Sequence, residues 1–287
     1  VVARDSLGSV VGLVNIEGIM GRREYPPSIS EPLDVLSESR ILVTGAYGSI
    51  GGALLDMLRS NGVSVTATDI ATCDVTSSAD VDEIMRIVDP EYVFHLAGAK
   101  HAPEGEIDPI QAANINIYGT ANILRAAPRG IRVVTASTCK ACDPETAYGA
   151  SKLIAERITL NAGGSVARFY NVPESSGNVF EIWDALPESE PIPVAPCRRY
   201  FISLSEALAL LVWSAILPSG RYACNPGAPR YMWDVAAALY PDRECRLVDR
   251  RRGDRQNEPR HATSERVFAT RVPRIRRIAS PHDKKTP

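Results

Sequence analysis

The chain has little of what would mark several function classes. It holds no run of about 18 apolar residues, so nothing in it reads as a membrane-spanning helix. The stretch "GSVVGLVNIEGIMG" (residues 8–21) is too short and too interrupted. No basic-then-apolar leader opens the chain, and its first residue is Val1, as expected of an excised or processed piece. Neither sign of charge dominates. The 32 Lys and Arg against 34 Asp and Glu leave −2, so no global field would draw in nucleic acid. Aromatics are 6%, and Trp183, Trp213 and Trp233 read as packing residues. Among 287 residues there are six cysteines and four histidines. Cys139 and Cys142 form a C-x-x-C pair, but no second pair exists to complete a structural zinc site, so no metal is expected. Cys73, Cys197, Cys224 and Cys245 are scattered rather than arranged as a disulfide framework. That usage suits a reducing, cytoplasmic compartment.

What is present is regular. "RILVTGAYGSIGGALLDMLRSNG" (residues 40–62) is a β-branched run, a glycine turn and then an apolar period of three to four, which predicts strand, turn and helix. "VSVTATDI" predicts the next strand, and "SADVDEIMRIVDP" a helix stopped by Pro90. "YVFHLAG" predicts a buried strand with His95 as a satisfied core histidine, followed by one long helix over "PIQAANINIYGTANILRAAPRG". "IRVVTAS", "PETAYGASKLIAERITLNAGG" and "SVARFYNV" predict strand, helix and strand. Such alternation predicts an α/β fold built on a doubly wound parallel sheet. Residues 1–38 read as an arm or linker and 39–172 as the sheet domain. Residues 173–275 read mainly as a smaller C-terminal substrate lobe, with some segments returning to the sheet domain, and 276–287 as a disordered tail.

The turn "TGAYGSIGG" carries Gly45, Gly48 and Gly51 at the spacing G-x-x-G-x-x-G. One glycine makes the tight turn, one admits a pyrophosphate to the backbone, and one lets the helix pack close to the strand. The helix N-terminus then offers free N–H groups to the phosphates. Tyr47, Ser49 and Ile50 belong to the same turn. The context, strand before and helix after in the first βαβ unit, predicts a Rossmann NAD(P)-binding domain. Asp69 ends the second strand, 18 residues after Gly51. A carboxylate there would accept from ribose hydroxyls and repel a 2′-phosphate, so NAD is favoured over NADP. Asp74 and Val75 are expected beside the adenine.

Tyr148 and Lys152 are four apart and share one helix face. A free phenol has a pKa of about 10 and is a poor base at neutral pH. A neighbouring ammonium and a nicotinamide cation favour the phenolate. The pair is then suited to taking a hydroxyl proton as hydride leaves the same carbon.

Together, the glycine turn, "HLAG", "NIYGT", "STCK" and "YGASK" resemble the extended short-chain dehydrogenase/reductase superfamily. A narrower resemblance joins "VFHLAGAKHAPEGEIDPIQAANINIYGT", "STCKACDPETAYGASK", "ARFYNVPESSGNV", "CRRYFIS" and "RRGDRQNE" to the polysaccharide-biosynthesis nucleotide-sugar 4,6-dehydratases, whose substrate class is UDP-N-acetylglucosamine and its relatives. It implies that Leu96, Ala97, Gly98, Lys100 and Asn116 lie along the cofactor. Lys100, His101, Asn171, Asn178, Val179, Arg199, Arg251 and Glu258 would meet the UDP-sugar, the arginines through paired bonds to phosphate oxygens. It also implies that Thr138 bonds O4 of the hexose, that Lys140 is the base at C5, and that residue 139 protonates the departing 6-hydroxyl. The stretch "NIEGIMGRR" resembles a linker that joins a membrane part to a catalytic part in longer family members. The helices over 107–127 and 144–161 are expected to pair in a homo-oligomer.

One departure matters. The family pattern has Asp where this chain has Cys139. A free thiol has a pKa of about 8.5 and is roughly 3% thiolate at pH 7, so it is a conceivable donor and a poor base. Three readings therefore stand: dehydration at C4–C6; epimerisation or another keto-sugar conversion that stops after C4 oxidation; and a binding protein that holds NAD(P) and UDP-sugar without turnover.

Overall fold

A computed structural model describes residues 2–4, 10–13, 15–250, 257–260, 265–281 and 283. The core is an eight-stranded sheet: β1 (Ile41–Thr44), β2 (Val65–Thr68), β3 (Tyr92–His95), β4 (Arg132–Thr138), β5 (Ser165–Phe169), β6 (Arg221–Cys224), β7 (Arg266–Ala269) and β8 (Ile275–Ala279). The spatial order is β7-β8-β6-β5-β4-β3-β1-β2. The six strands from β2 across to β6 run parallel. The order reverses at β1, so the cleft at the carboxyl ends of β1 and β3 is a topological switch point.

The strands form for the reason the sequence suggests. Ile41, Leu42, Val43 and Thr44 are all buried, as expected of a strand covered on both faces. On one face Leu54, Leu55 and Leu58 of α1 (Ser49–Ser60) and Leu210 and Leu211 of α2 (Leu204–Ile216) pack against Val43, Phe94 and Val134. On the other, Leu42, Val93 and Val133 meet Val81, Met85 and Ile123. A separate core of Ile19, Phe180, Trp183, Ile192, Phe201 and Val235 makes the smaller lobe.

Three expectations change. The tail from residue 276 was expected to be disordered, yet Ile275–Ala279 pairs antiparallel with β6 on one side and β7 on the other. Its buried Ile275 and Ile278 are separated by two arginines that mask the pattern. The supposed arm contributes Ile16, Ile19 and Met20 to the lobe core, and Arg22 donates two hydrogen bonds to the buried carboxylate of Glu206, at 2.7 and 2.6 Å. The long helix after β3 is irregular. The expected helix runs from Pro109 to Ala126 without a break in the chain but takes π geometry at Asn114–Gly119, and a short helix not expected from the sequence, Ala102–Ile107, precedes it. Such bulges are frequent at functional sites, and Asn116 within this one is 1% exposed.

Candidate active site

A cleft of about 610 Å³ opens at the switch point, with the glycine turn at one end and Tyr148 at the other. Gly45 has φ +66, and a Cβ there would lie 2.5 Å from the Ala97 nitrogen. A Cβ on Gly51 would lie 2.2 Å from the Gly45 carbonyl oxygen. The turn therefore requires glycine at both positions, and the start of α1 stays bare toward the cleft. Gly98 leaves room where a Cβ would come within 2.7 Å of Lys152 Nζ and 2.9 Å of Asn116 Oδ1. Asn116 Nδ2 donates to Ser151 Oγ at 2.9 Å, while its buried Oδ1 has no protein partner. A bare glycine cradle with an orphaned acceptor beside it fits an extended dinucleotide.

The structure gathers most of the residues singled out from the sequence. Gly45, Gly48, Ser49, Ile50 and Gly51 line the cleft with Asp69, Asp74 and Val75, and so do Leu96, Ala97 and Gly98. The Asp69 carboxylate accepts from the Ile70 N–H at 2.6 Å, and that of Asp74 from Thr76 N and Oγ1 at 2.9 and 2.8 Å. Lys100, His101, Asn171 and Asn178 line the lobe side. Asn178 also caps the helix Val179–Asp184 by accepting from Phe180 N at 2.8 Å. Tyr47 is 68% exposed and, like Val179 and Arg199, is not among the lining residues. Arg251 lies outside the described residues. His95 is a core histidine: Nδ1 is 2.8 Å from Thr44 Oγ1, Nε2 is 3.1 Å from Thr120 Oγ1, and burial pushes its pKa down to about 3.

Thr138, Lys140, Tyr148 and Lys152 meet at the inner end. Thr138 ends β4, and Tyr148 and Lys152 lie on α3 (Ala147–Asn161), whose N-cap Thr146 accepts from Gly149 N at 3.0 Å. Burial raises the Tyr148 pKa, and the Lys140 ammonium and a Thr138 hydrogen bond oppose that rise. Without bound ligand, the cation that acts on the phenol is thus Lys140. Lys152 is itself depressed to about 8, chiefly by burial, and donates to the Ala136 carbonyl at 3.2 Å.

Cys139 does not join them. It is 1% exposed, packs in the sheet core and is absent from the cleft lining. Burial, then the charge of Glu258, pushes its thiol up to about 12. Cys142 is buried too and donates to Glu265 at 3.2 Å. Sequence reasoning missed Ser176 and Tyr170, which line the cleft. Ser176 stands just before Gly177, which has φ +76 and where a Cβ would lie 2.8 Å from the His101 ring; the glycine itself is the available signal in the sequence.

A family model described as "Polysaccharide biosynthesis protein" matches residues 57–280. The chain belongs to that family. It falls among the extended short-chain dehydrogenase/reductases. It is 27% identical to a UDP-N-acetylglucosamine 4,6-dehydratase (inverting) of Campylobacter jejuni, over 78% of each chain. Against the probable polysaccharide biosynthesis protein EpsC of Bacillus subtilis it is 28% identical, covering 79% of this chain and 44% of that one. The chain spans 44–65% of the length of several curated relatives it matches. The UDP-glucose 4-epimerase of Thermus thermophilus, solved with NAD, shares the fold: TM-score 0.67, 21% identity, 76% of this chain and 89% of that one. Among the described residues, no helix is long and apolar enough to cross a membrane.

Proposed function

We propose that this family member converts a nucleotide sugar, UDP-N-acetylglucosamine or a close relative, by oxidation at C4 and elimination of water across C5–C6. A nicotinamide dinucleotide held along Gly45–Gly51, Asp69 and Gly98 would supply hydride acceptance and return; Asp69 favours NAD. Tyr148, bonded to Thr138, takes the proton of the 4-hydroxyl. Lys152 binds beside the Gly98 gap and adds positive charge there.

The observation that carries the dehydratase reading is Lys140. Oxidation at C4 needs Tyr148, Lys152 and Thr138. It does not need a second amine in the cleft, whereas elimination needs a further proton-transfer group near C5 and C6. Lys140 lines the cleft beside Tyr148. The burial of Cys139 favours a second reading, an epimerase that stops after C4 oxidation, since position 139 offers no acid. The relatives carry both activities in their names. The helices Pro109–Ala113 and Ala147–Asn161 expose Ile110 and Ile154, which supports pairing of subunits through this face.

The deciding experiment is incubation with UDP-N-acetylglucosamine in deuterated water, followed by mass spectrometry and proton NMR. Dehydration gives a product about 18 Da lighter before isotope uptake, with deuterium at C5. Unchanged mass with inverted C4 means epimerisation. No turnover of any UDP-sugar with cofactor bound leaves only the binding-protein reading.

A further inference from the structure

Glu258 is a buried carboxylate behind the reacting end of the cleft. Its side chain is 1% exposed, and it does not line the cleft that Lys140 does line. Four groups converge on it from three segments of the chain. Asn171 Nδ2 donates to Oε2 at 2.6 Å and the Tyr200 N–H to the same oxygen at 3.3 Å. Lys140 Nζ lies 3.3 Å and Arg199 Nε 3.4 Å from Oε1. The short segment that carries it is itself fixed. Asn257 bridges to Arg198, Glu258 N donates to the Arg198 carbonyl at 3.3 Å, and the Tyr170 hydroxyl donates to the Arg260 carbonyl at 3.2 Å. The carboxylate is therefore held in place before any ligand arrives.

We propose that Glu258 is the positioning residue of this site: its buried carboxylate fixes Lys140 at the cleft wall and keeps it an ammonium, so that Lys140 meets the bound sugar as a proton donor and not as the C5 base that the resemblance implies. The assignment of a sugar rests on the proposed function; the pairing does not.

The two lysines of the site provide an internal comparison. Both are withdrawn from solvent, which disfavours the charged form. Lys152 is held by a carbonyl, and its pKa falls to about 8. Its nearest carboxylate, Glu156, is shared between two arginines at 2.7 and 2.6 Å. Lys140 is less enclosed, with 24% of its side chain exposed; burial still lowers its pKa, but Glu258, then Cys139 and Tyr148, outweigh it, and its pKa stands above the ordinary range. Arg199 faces Lys140 with the opposite effect and does not reverse the sign. The groups around the amine are thus Glu258 from the C-terminal segment, Tyr148 from α3, Arg199 from the lobe and Cys139 from its own turn. Of these, Glu258 is the dominant anion.

The test is a titration that needs no turnover. Lysines of the intact protein are dimethylated with ¹³C-formaldehyde, and the Lys140 signal is identified by its loss in Lys140→Arg. Its midpoint should lie above the ordinary lysine value of about 10.4. In Glu258→Gln it should fall at least tenfold in proton affinity, while Lys152 stays in place; Glu258→Asp should restore most of it. A wild-type midpoint at or below the ordinary value overturns the proposal, and that measurement requires no variant to fold. So does an unchanged midpoint in Glu258→Gln, or an equal shift of both lysines. If no UDP-sugar is turned over, the functional reading falls and this titration still decides the pairing.

Discussion

Ser49 and Ser176 are 127 residues apart in the chain, and their hydroxyl oxygens are 2.7 Å apart. Ser49 opens α1 in the glycine turn, while Ser176 belongs to a loop of the lobe. The Ser176 N–H also donates to Ser49 Oγ at 2.9 Å, and Lys100 Nζ donates to both the carbonyl and the hydroxyl of Ser176 at 3.2 Å. The lobe is thereby tied across the end of the cleft where a pyrophosphate would bind.

Ser176→Ala removes the hydroxyl from two of these contacts and leaves the two backbone bonds. Each such bond is worth about 0.5–1.5 kcal/mol net, and about 1.4 kcal/mol is a factor of ten. The two lost bonds total about 1–3 kcal/mol, so NADH release should accelerate by roughly 5–150-fold in stopped-flow fluorescence, with the folded structure retained. An unchanged release rate would mean the loop does not guard the cofactor.

Tyr148→Phe keeps the ring and removes the phenol. Turnover of UDP-N-acetylglucosamine should drop by about 10²–10⁴-fold, the usual worth of a general base, with cofactor affinity nearly unchanged. Burial raises the phenol's pKa, so the base form gains population as pH rises. Wild-type turnover should therefore climb between about pH 6 and 9, and the residual rate of the variant should lack that climb. Product analysis across that range checks both.

The parallel sheet, the glycine turn and the Tyr148–Lys152 pair were legible because each obeys a local rule of period, turn chemistry or helical spacing. Other features were not, because they depend on contacts between distant segments. Ile275–Ala279 adds to the sheet only because β6 offers an edge. Asn116 is buried within a stretch of π geometry that helical periodicity does not announce. Cys139 sits in a motif whose neighbours Thr138 and Lys140 line the cleft, yet its own side chain turns into the sheet core.

That orientation makes Cys139→Ala a sharp probe. The change removes a small buried group and should cost roughly 1 kcal/mol of stability. Turnover should stay within about threefold of wild type, because a group outside the cleft transfers no proton to substrate. With its thiol pushed up to about 12, Cys139 should also resist iodoacetamide at pH 8 in the native protein, since the thiolate is the nucleophile. Peptide mapping after alkylation reads this directly. A loss of turnover by two orders of magnitude would instead return Cys139 to the catalytic set.

Behind the catalytic strand, Glu156 on α3 is fully buried and accepts from three groups. Ser137 Oγ on β4 donates at 2.6 Å, Arg168 on β5 at 2.9 and 2.7 Å, and Arg221 on β6 at 2.6 Å. The two arginines continue to Glu265 and Asp283, so the C-terminal segment is bound to the centre of the sheet through charge. Burial alone would raise the Glu156 pKa, but Arg168 and then Arg221 pull it down to about 2. A carboxylate depressed on folding adds stability that is present above its unfolded value, about 4.3. That stability is lost as pH falls toward about 2. The melting temperature should thus fall steeply between about pH 4.5 and 2. Glu156→Gln should cost about 3–5 kcal/mol at neutral pH, because it leaves two buried guanidinium groups short of a partner. Its melting temperature should then depend less on acid over that window than the wild type does. Thermal unfolding of both proteins from pH 7 to 2.5 tests the point, and parallel acid limbs would assign the loss to other carboxylates.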